Sequence, residues 1–284
     1  MQFLPLVVAA IAALAIAPAA RASMVEHGMT RENYRGSVLP IPFGFVAATA
    51  ALVALVVISP LAQLAEVDVI PSAGGKDTAF IPLSDVLVYG LGVAFLGLVD
   101  DTLSGPSRGW RGHARAAASG TLSTGALKAV GSLGLALYVL RAGPGQDAGE
   151  YLLAVAILVL STNLFNLFDL RPGRSIKVFL VLGLGLTLGA WSLDGLWVLG
   201  IFIGPLLVAG LYDVRERAML GDTGSNLIGG MAGLWMVLTL DTTGQIVALV
   251  ALVAITLYGE FRSISELIAS NSVLRHLDSL GRPR

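Results

Sequence analysis

The sequence LGVAFLGLVDDTL, Leu91–Leu103, runs from an apolar stretch into two adjacent carboxylates, Asp100 and Asp101. Carboxylates side by side at the mouth of a hydrophobic helix repel each other and lose hydration unless a cation or water accompanies them. A hard divalent cation fits such a pair, because Mg²⁺ binds one or two carboxylates together with phosphate oxygens of a substrate. The stretch therefore indicates a membrane helix followed by chemistry on phosphate. The alternative is that the pair only caps the helix at the water interface.

The composition indicates a membrane protein. Of the 284 residues, 55% are hydrophobic and 13% charged, whereas soluble proteins have about 45–50% and about 25%. Apolar runs recur along the chain, which predicts one transmembrane domain over 1–260 and a separate C-terminal segment over 261–284. The absence of cysteine excludes disulfides, thiolate metal ligands and thiol nucleophiles.

We predict an all-α, polytopic integral membrane helix bundle. Runs near 20 apolar residues predict about nine transmembrane helices. They lie at 3–20, 41–62, 83–99, 124–141, 151–168, 177–193, 196–212, 225–240 and 245–260. The first run has small residues at 18–22 and is alternatively a cleaved signal peptide. A retained helix is favoured because no Lys or Arg precedes its apolar core.

The basic residues predict the orientation of these helices. If odd-numbered helices run from outside to inside, sixteen of the eighteen Lys and Arg residues fall on the inner side, leaving Lys76 and Arg141 outside. The positive-inside rule then puts the N-terminus outside and the C-terminus in the cytoplasm. The polar ends of the third and fifth helices and the loop before the eighth therefore share the cytoplasmic side.

The region after the last predicted span is predicted to be a helix on the membrane surface. Glu260–Leu280 alternates apolar and charged residues at helical spacing, which predicts an amphipathic helix on the inner membrane surface. The tail from Gly281 is expected to be disordered. Glycines four residues apart predict close helix packing; the pairs are Gly185/Gly189, Gly200/Gly204 and Gly229/Gly233.

The fifth helix ends in STNLFNLFD, in which Asn163, Asn166 and Asp169 recur every three residues. Residues at this spacing share one helical face. The amides can hydrogen-bond a sugar or base, and the carboxylate can bind a ribose, a metal or a proton. The alternative is a polar helix end that meets lipid headgroups.

Cationic side chains lie near these motifs. Arg171 and Arg174 flank a Pro-Gly turn after the fifth helix, and two guanidinium groups there can clamp an anion or simply supply inner positive charge. Lys128 at the start of the fourth helix either extends to the membrane interface or reaches the substrate. The basic loop 107–115 can bind phosphates or anionic lipid headgroups.

The segment Gly221-Asp-Thr-Gly-Ser225 precedes the eighth helix. Thr223 or Ser225 can cap that helix, its free N–H groups can face a phosphate, and Asp222 can add a third carboxylate to the metal. Capping alone requires no second glycine, which favours a functional interpretation.

The order LVDD, N-x-x-N-x-x-D and GDTGS resembles the polyprenyl-phosphate sugar-1-phosphate transferases, over roughly residues 30–260. The resemblance implies Mg²⁺-dependent transfer of a sugar-1-phosphate from a UDP-sugar to a polyprenyl phosphate, with release of UMP, in cell-envelope glycopolymer synthesis. It implies catalytic and metal-binding roles for Asp100, Asp101 and Asp222. The expected substrate-binding residues are Asn163, Asn166, Asp169, Arg171, Arg174 and Lys128.

We accordingly expect a protein of the cell membrane whose active site faces the cytoplasm. Its expected partners are the UDP-sugar, polyprenyl phosphate and membrane lipids but no nucleic acid, with a homodimer as a further expectation. The chain departs from the family where Asp169 is followed by Leu170-Arg-Pro-Gly-Arg instead of D-G-x-D-G-L. This departure motivates a second hypothesis, a catalytically inactive paralogue that binds the lipid carrier or scaffolds an envelope-synthesis complex. A transporter would instead place ionisable groups at mid-membrane.

Overall fold

A computed structural model describes residues 2–64, 81–103, 124–141 and 147–283. About 80% of these residues are helical, which confirms the helical class. The helices are α1 (Leu4–Glu26), α2 (Phe45–Leu64), α3 (Leu83–Leu103), α4 (Thr124–Val139), α5 (Ala148–Phe168), α6 (Arg174–Ala190), α7 (Asp194–Val198), α8 (Gly200–Val214), α9 (Gly221–Thr239), α10 (Thr242–Phe261), α11 (Ile264–Ser270) and α12 (Ser272–Ser279).

Five of these helices are long and apolar enough to cross a membrane: α1, α2, α3, α5 and α10. The apolar helices α4 and α8 are shorter. Each of the nine predicted segments overlaps a helix, although the seventh is divided into α7 and α8. The predicted second segment began at residue 41, whereas α2 begins at Phe45, because Pro40 and Pro42 disfavour helical backbone before that point.

The sequence did not predict the short antiparallel hairpin between α1 and α2. Strand β1 (Thr30–Glu32) pairs with β2 (Val38–Pro40) in the register Thr30 to Pro40. The Asn33 side chain accepts hydrogen bonds from the backbone N–H groups of Arg35 and Ser37, which closes the turn. The hairpin lies against the loop before α9, since Met219 donates from its N–H to the Pro40 carbonyl at 2.8 Å.

Helix α9 is the centre of the bundle. Every residue from Thr223 to Leu238 is buried, and the helix packs against α3, α5 and α6. Glycine permits this packing: a Cβ on Gly229 would lie 2.7 Å from the Ser161 carbonyl oxygen on α5. The predicted packing role is thus confirmed for Gly229/Gly233, and for Gly200/Gly204 against α1, whereas a Cβ on Gly185 or Gly189 meets no described atom within 4 Å.

The segment after α10 forms two short helices where one was predicted. The side chain of Asn271 separates them by accepting from the N–H groups of Val273 and Leu274, which caps α12. The tail is attached to the bundle as well. Arg282 Nε donates to the Pro172 carbonyl oxygen at 2.8 Å, in place of the expected disorder.

Candidate active site

Asp101 caps the N-terminus of α9 from across the bundle. Its Oδ1 accepts from the N–H of Asp222 at 3.0 Å, and its Oδ2 accepts from the N–H of Thr223 at 2.8 Å and from Thr223 Oγ1 at 2.7 Å. The partial positive charge of a helix N-terminus stabilises a carboxylate in this position. Thr223, predicted to cap α9, instead donates to Asp101, so these two N–H groups face a carboxylate of the chain itself.

Glycines bring the two helices close enough for this contact. A Cβ on Gly97, one turn before Asp101, would lie 2.5 Å from the carbonyl carbon of Asp222 and 2.6 Å from the Cα of Thr223. Gly221 has a φ of +70°, in the left-handed region that favours glycine. A Cβ there would lie 2.8 Å from Asp101 Oδ2.

Packing explains the second glycine of the GDTGS motif. A Cβ on Gly224 would lie 2.8 Å from the Leu220 Cβ and 3.1 Å from the Gly44 Cα. The backbone segments around Gly44 and Gly224 therefore meet directly, just before α2 and at the start of α9. Packing alone therefore accounts for Gly224, without a role for it in ligand binding.

Lys128 joins the other two carboxylates. Its Nζ lies 2.8 Å from Asp222 Oδ2 and 3.6 Å from Asp100 Oδ2, and its side chain is only 12% exposed. The Asn166 amide has one orientation that gives both of its polar atoms suitable partners: Oδ1 accepts from Lys128 Nζ at 2.9 Å and Nδ2 donates to Asp222 Oδ1 at 2.9 Å. Side chains from α3, α4, α5 and α9 thus meet around one ammonium group.

The two adjacent aspartates of α3 serve different neighbours. Successive residues of a helix are rotated by about 100°, so Asp100 faces Lys128 while Asp101 faces α9. Their mutual repulsion is offset separately, by an ammonium group in one case and by helix N–H groups in the other. The structure therefore brings Asp100, Asp101 and Asp222 together, with Lys128 between Asp100 and Asp222 and with Asp101 bonded to the first turn of α9.

A cavity of about 270 Å³ opens beside this cluster. Its walls include five carboxylate residues and two arginines, namely Glu32, Asp101, Asp169, Asp213, Asp222, Arg31 and Arg171. Asp169 follows the last residue of α5, and its Oδ1 lies 3.4 Å from Ser175 Oγ, which donates to it. Burial, followed by the charges of Asp213, Asp222 and Asp101, raises the pKa of Asp169 well above its ordinary value, and the Ser175 hydrogen bond only partly opposes this.

Asp213 was not among the predicted site residues. It is buried at the end of α8, where it accepts from the N–H of Gly173 at 2.6 Å and from the N–H of Leu220 at 3.4 Å. These contacts fasten the 171–173 loop to the segment that leads into α9. Asp213 is a carboxylate at the end of an apolar helix, and this is the same sequence feature that makes Asp100 a candidate site residue.

The guanidinium groups of the two cavity arginines are not held by ion pairs within the described part of the chain. Neither Arg31, on β1, nor Arg171 forms an ion pair with another residue in the described ranges. Arg171 lies 5.3 Å from the centroid of the Tyr34 ring, which also lines the cavity. Arg31 was missed as a site residue because the hairpin that places it was not predicted.

Two predicted site residues lie elsewhere. Arg174 is 3% exposed and is engaged by Asp278 and by Ser265 Oγ, so its guanidinium does not reach the cavity. Asn163 is exposed on α5, one turn from Asn166, and its side chain forms no hydrogen bond to another described residue. The predicted anion-binding loop 107–115 lies outside the described residues.

The oxygens around Lys128 suit a hard cation. No cluster of three or more His, Cys, Asp or Glu side chains in metal-ligand geometry occurs among the residues that the structure describes. Oxygens of Asp100, Asp222 and Asn166 nevertheless converge on one positive charge, and carboxylate and amide oxygens are the ligand types that Mg²⁺ accepts. Both oxygens of Asp101 are already bonded to α9.

Neither a scan against protein-family models nor a search of curated proteins finds a match for this chain. The functional assignment therefore depends on the residues and their geometry.

Proposed function

We propose that the protein is a Mg²⁺-dependent transferase that moves a sugar-1-phosphate from a UDP-sugar to a polyprenyl phosphate and releases UMP. One observation carries the proposal. Asp222 belongs both to the Lys128 cluster and to the wall of the mixed-charge cavity, which joins a cation-binding group to a space lined by two guanidinium groups that no described carboxylate pairs with. Phosphoryl transfer is favoured by this combination, because its catalysis is mainly positioning and charge stabilisation.

In this proposal the metal is held by Asp100 and Asp222, whose oxygens already converge on a cation. A bound Mg²⁺ supplies neutralisation of the donor pyrophosphate. Asp101 is then a positioning residue. Its carboxylate fixes the first turn of α9 and thereby the place of Asp222.

The remaining cavity residues bind and orient the substrates. Arg31 and Arg171 donate to phosphate oxygens, and the planar guanidinium group suits that geometry. A phosphate oxygen of the lipid attacks the phosphorus that carries the sugar, the bond between that phosphorus and the bridging oxygen breaks, and UMP leaves with that oxygen. Asp222 orients the attacking lipid phosphate or accepts its proton.

We further propose nine membrane spans, with the N-terminus outside and the cavity facing the cytoplasm. The support is the grouping of basic residues from distant loops at one end of the bundle. Arg21 Nε donates to the Arg217 carbonyl oxygen at 3.0 Å, and Arg35 Nη1 donates to the Pro283 carbonyl oxygen at 3.1 Å. Concentrated positive charge at one end is typical of the cytoplasmic side.

A second candidate function is a catalytically inactive protein that binds the lipid carrier or scaffolds an envelope-synthesis complex. The observation that favours it is Lys128, which pairs with both Asp222 and Asp100 and thus already compensates the charge that a metal would neutralise.

The test is UMP release by purified protein supplied with undecaprenyl phosphate, Mg²⁺ and a panel of UDP-sugars. We expect release with at least one donor and its loss in Asp222→Asn. The matched control is Asp241→Asn at the other end of the bundle, where the side chain caps α10 and asparagine caps equally well. Binding of the lipid without release of UMP from any donor would favour the scaffold.

A further inference from the structure

The C-terminal segment, residues 264–283, is held to the bundle through Asp278. Arg174 donates to this carboxylate from Nε and Nη2 at 3.1 and 3.2 Å, and Arg282 donates from Nη1 and Nη2 at 3.1 and 2.9 Å. Both guanidinium groups are almost completely buried, with side-chain exposures of 3% and 7%. One carboxylate therefore joins α12 and the tail to the start of α6.

This segment contacts the loop that forms one wall of the cavity. Arg282 Nε donates to the carbonyl oxygen of Pro172, which lines the cavity. Lys177 Nζ donates to the carbonyl oxygen of Asp278 at 2.6 Å. The 171–174 loop is thus held by the C-terminal segment in addition to its contact with Asp213.

The same segment contacts the hairpin that forms the other wall. Arg35, in the hairpin turn, donates to the Pro283 carbonyl oxygen at 3.1 Å. The Arg282 guanidinium lies 6.0 Å from the centroid of the Tyr34 ring, and Arg171 approaches the same ring from the loop. The tail, the hairpin and the loop therefore meet at one aromatic ring on the cavity wall.

The remaining face of α12 is apolar and exposed. Val273, Leu274, Leu277 and Leu280 recur at helical spacing, and all four are exposed. Asp278 is rotated away from the middle of this stripe by about a quarter turn or more. Only the short helix α11 separates this face from α10, a candidate membrane span that ends at the exposed Phe261, and basic side chains lie nearby in the sequence at Arg262 and Arg275. Apolar residues beside basic ones fit a lipid surface with anionic headgroups.

We propose that the C-terminal segment is a clamp seated on the lipid surface, which holds the hairpin and the 171–174 loop at the spacing that the cavity requires. Removal of the Asp278 charge leaves two buried guanidinium groups without their partner, and such a loss destabilises the surrounding contacts strongly. The cavity walls then separate while the helical core stays intact. The clamp rests on the proposed function only in that the cavity is taken to be the substrate site.

The first test is hydrogen exchange of the full chain in lipid nanodiscs, comparing wild type with Asp278→Asn and Arg282→Gln. We expect peptides covering 29–41 and 169–174 to exchange at least about tenfold faster in both variants, which corresponds to about 1.4 kcal/mol of local opening. Peptides from α3 and α9 are expected to keep the wild-type rate, as all peptides are in the control Asp241→Asn. Unchanged exchange in the hairpin and loop of the Asp278 or Arg282 variant would overturn the clamp.

The second test uses the natural absence of cysteine. A fluorophore is attached to Val273→Cys on the apolar face, or to Ser279→Cys on another face of α12 as the matched control. We expect brominated lipids in the nanodisc to quench the label at 273 and not the label at 279. Equal quenching of the two labels would overturn the proposed contact of α12 with lipid. A label at 273 whose fluorescence changes with protein concentration and not with brominated lipid would also overturn it, because that result would indicate a second copy of the chain on this face.

Activity separates the clamp from the proposed function. If UMP release is observed, Asp278→Asn is expected to raise the KM for the UDP-sugar more than it lowers kcat, because the walls bind the donor. If the wild type releases no UMP, the proposed function fails, while the exchange and quenching results still decide whether the clamp exists.

Discussion

Replacing Gly97 by alanine tests the geometry that assembles the site. The added Cβ would lie 2.5 Å from the carbonyl carbon of Asp222, whereas ordinary van der Waals contact begins near 3.4 Å. Both groups at this contact belong to helix backbone, so no flexible side chain can move aside. Helices α3 and α9 therefore have to separate by about 0.9 Å at this point, or rotate.

The separation of α3 from α9 also moves Asp101, which lies one turn further along α3, away from α9. Its three hydrogen bonds to α9 are 2.7 to 3.0 Å long, and a retreat of about 0.9 Å takes them past the range in which hydrogen bonds contribute. Overpacking costs about 1–3 kcal/mol, and hydrogen bonds to a charged group contribute about 1.5–3 kcal/mol each. Partial relaxation reduces the sum, so we expect Gly97→Ala to lower the stability by about 3 kcal/mol.

The assay is thermal unfolding in detergent, followed by UMP release at a temperature where both proteins are folded. The matched control is Gly185→Ala, because a Cβ there meets no described atom within 4 Å. Alanine in a helix interior is favoured over glycine by up to about 1 kcal/mol, so this control is expected to unfold at the wild-type temperature or slightly above it. Equal unfolding temperatures for the two variants would refute the close approach of α3 and α9.

Three further predictions concern the charged groups. Asp101→Asn should lower the unfolding temperature by several degrees, since it weakens the cap by about 1–2 kcal/mol; an unchanged temperature would contradict the capping role. Lys128→Met should destabilise the metal-free protein and gain more stability from millimolar Mg²⁺ than wild type, because its carboxylate partners become available; a Mg²⁺ response absent from both proteins would contradict metal binding at Asp100 and Asp222. Because the folded-state pKa of Asp169 is raised, the folded chain binds its proton more tightly than the unfolded chain, and stability falls as pH rises from about 4 through the raised value. Asp169→Asn should therefore unfold at a higher temperature at pH 8 and show a weaker pH dependence than wild type, and an identical pH profile would contradict the burial of this charge.

Local sequence features were sufficient to predict the helices and the positions of the carboxylates. The apolar run that ends in Asp100 and Asp101 forms α3, and the spacing of Asn166 and Asp169 places both at the polar end of α5. These predictions succeeded because hydrophobic burial acts over a single helix and depends on residues within a few turns.

Contacts between residues far apart along the chain could not be predicted from local sequence features. Asp101 and Thr223 are 122 residues apart along the chain, so the capping of α9 by α3 has no local signature. Arg174 looked like an anion ligand because its partner, Asp278, belongs to a segment expected to lie alone on the membrane surface. The hairpin escaped prediction because its strands have three residues each, too few to show alternation.

Gly97 and Gly221 allow α3 and α9 to approach each other closely, and this contact has an evolutionary consequence. Any side chain at position 97 pushes Asp101 away from the first turn of α9, and any at position 221 meets the same carboxylate. A substitution at position 97 or 221 is therefore tolerated only when the residue that it contacts on the other helix also changes in the same lineage. Among homologous sequences, Gly97, Asp101, Gly221 and Thr223 should be inherited together, while the neighbouring exposed Phe95 varies freely.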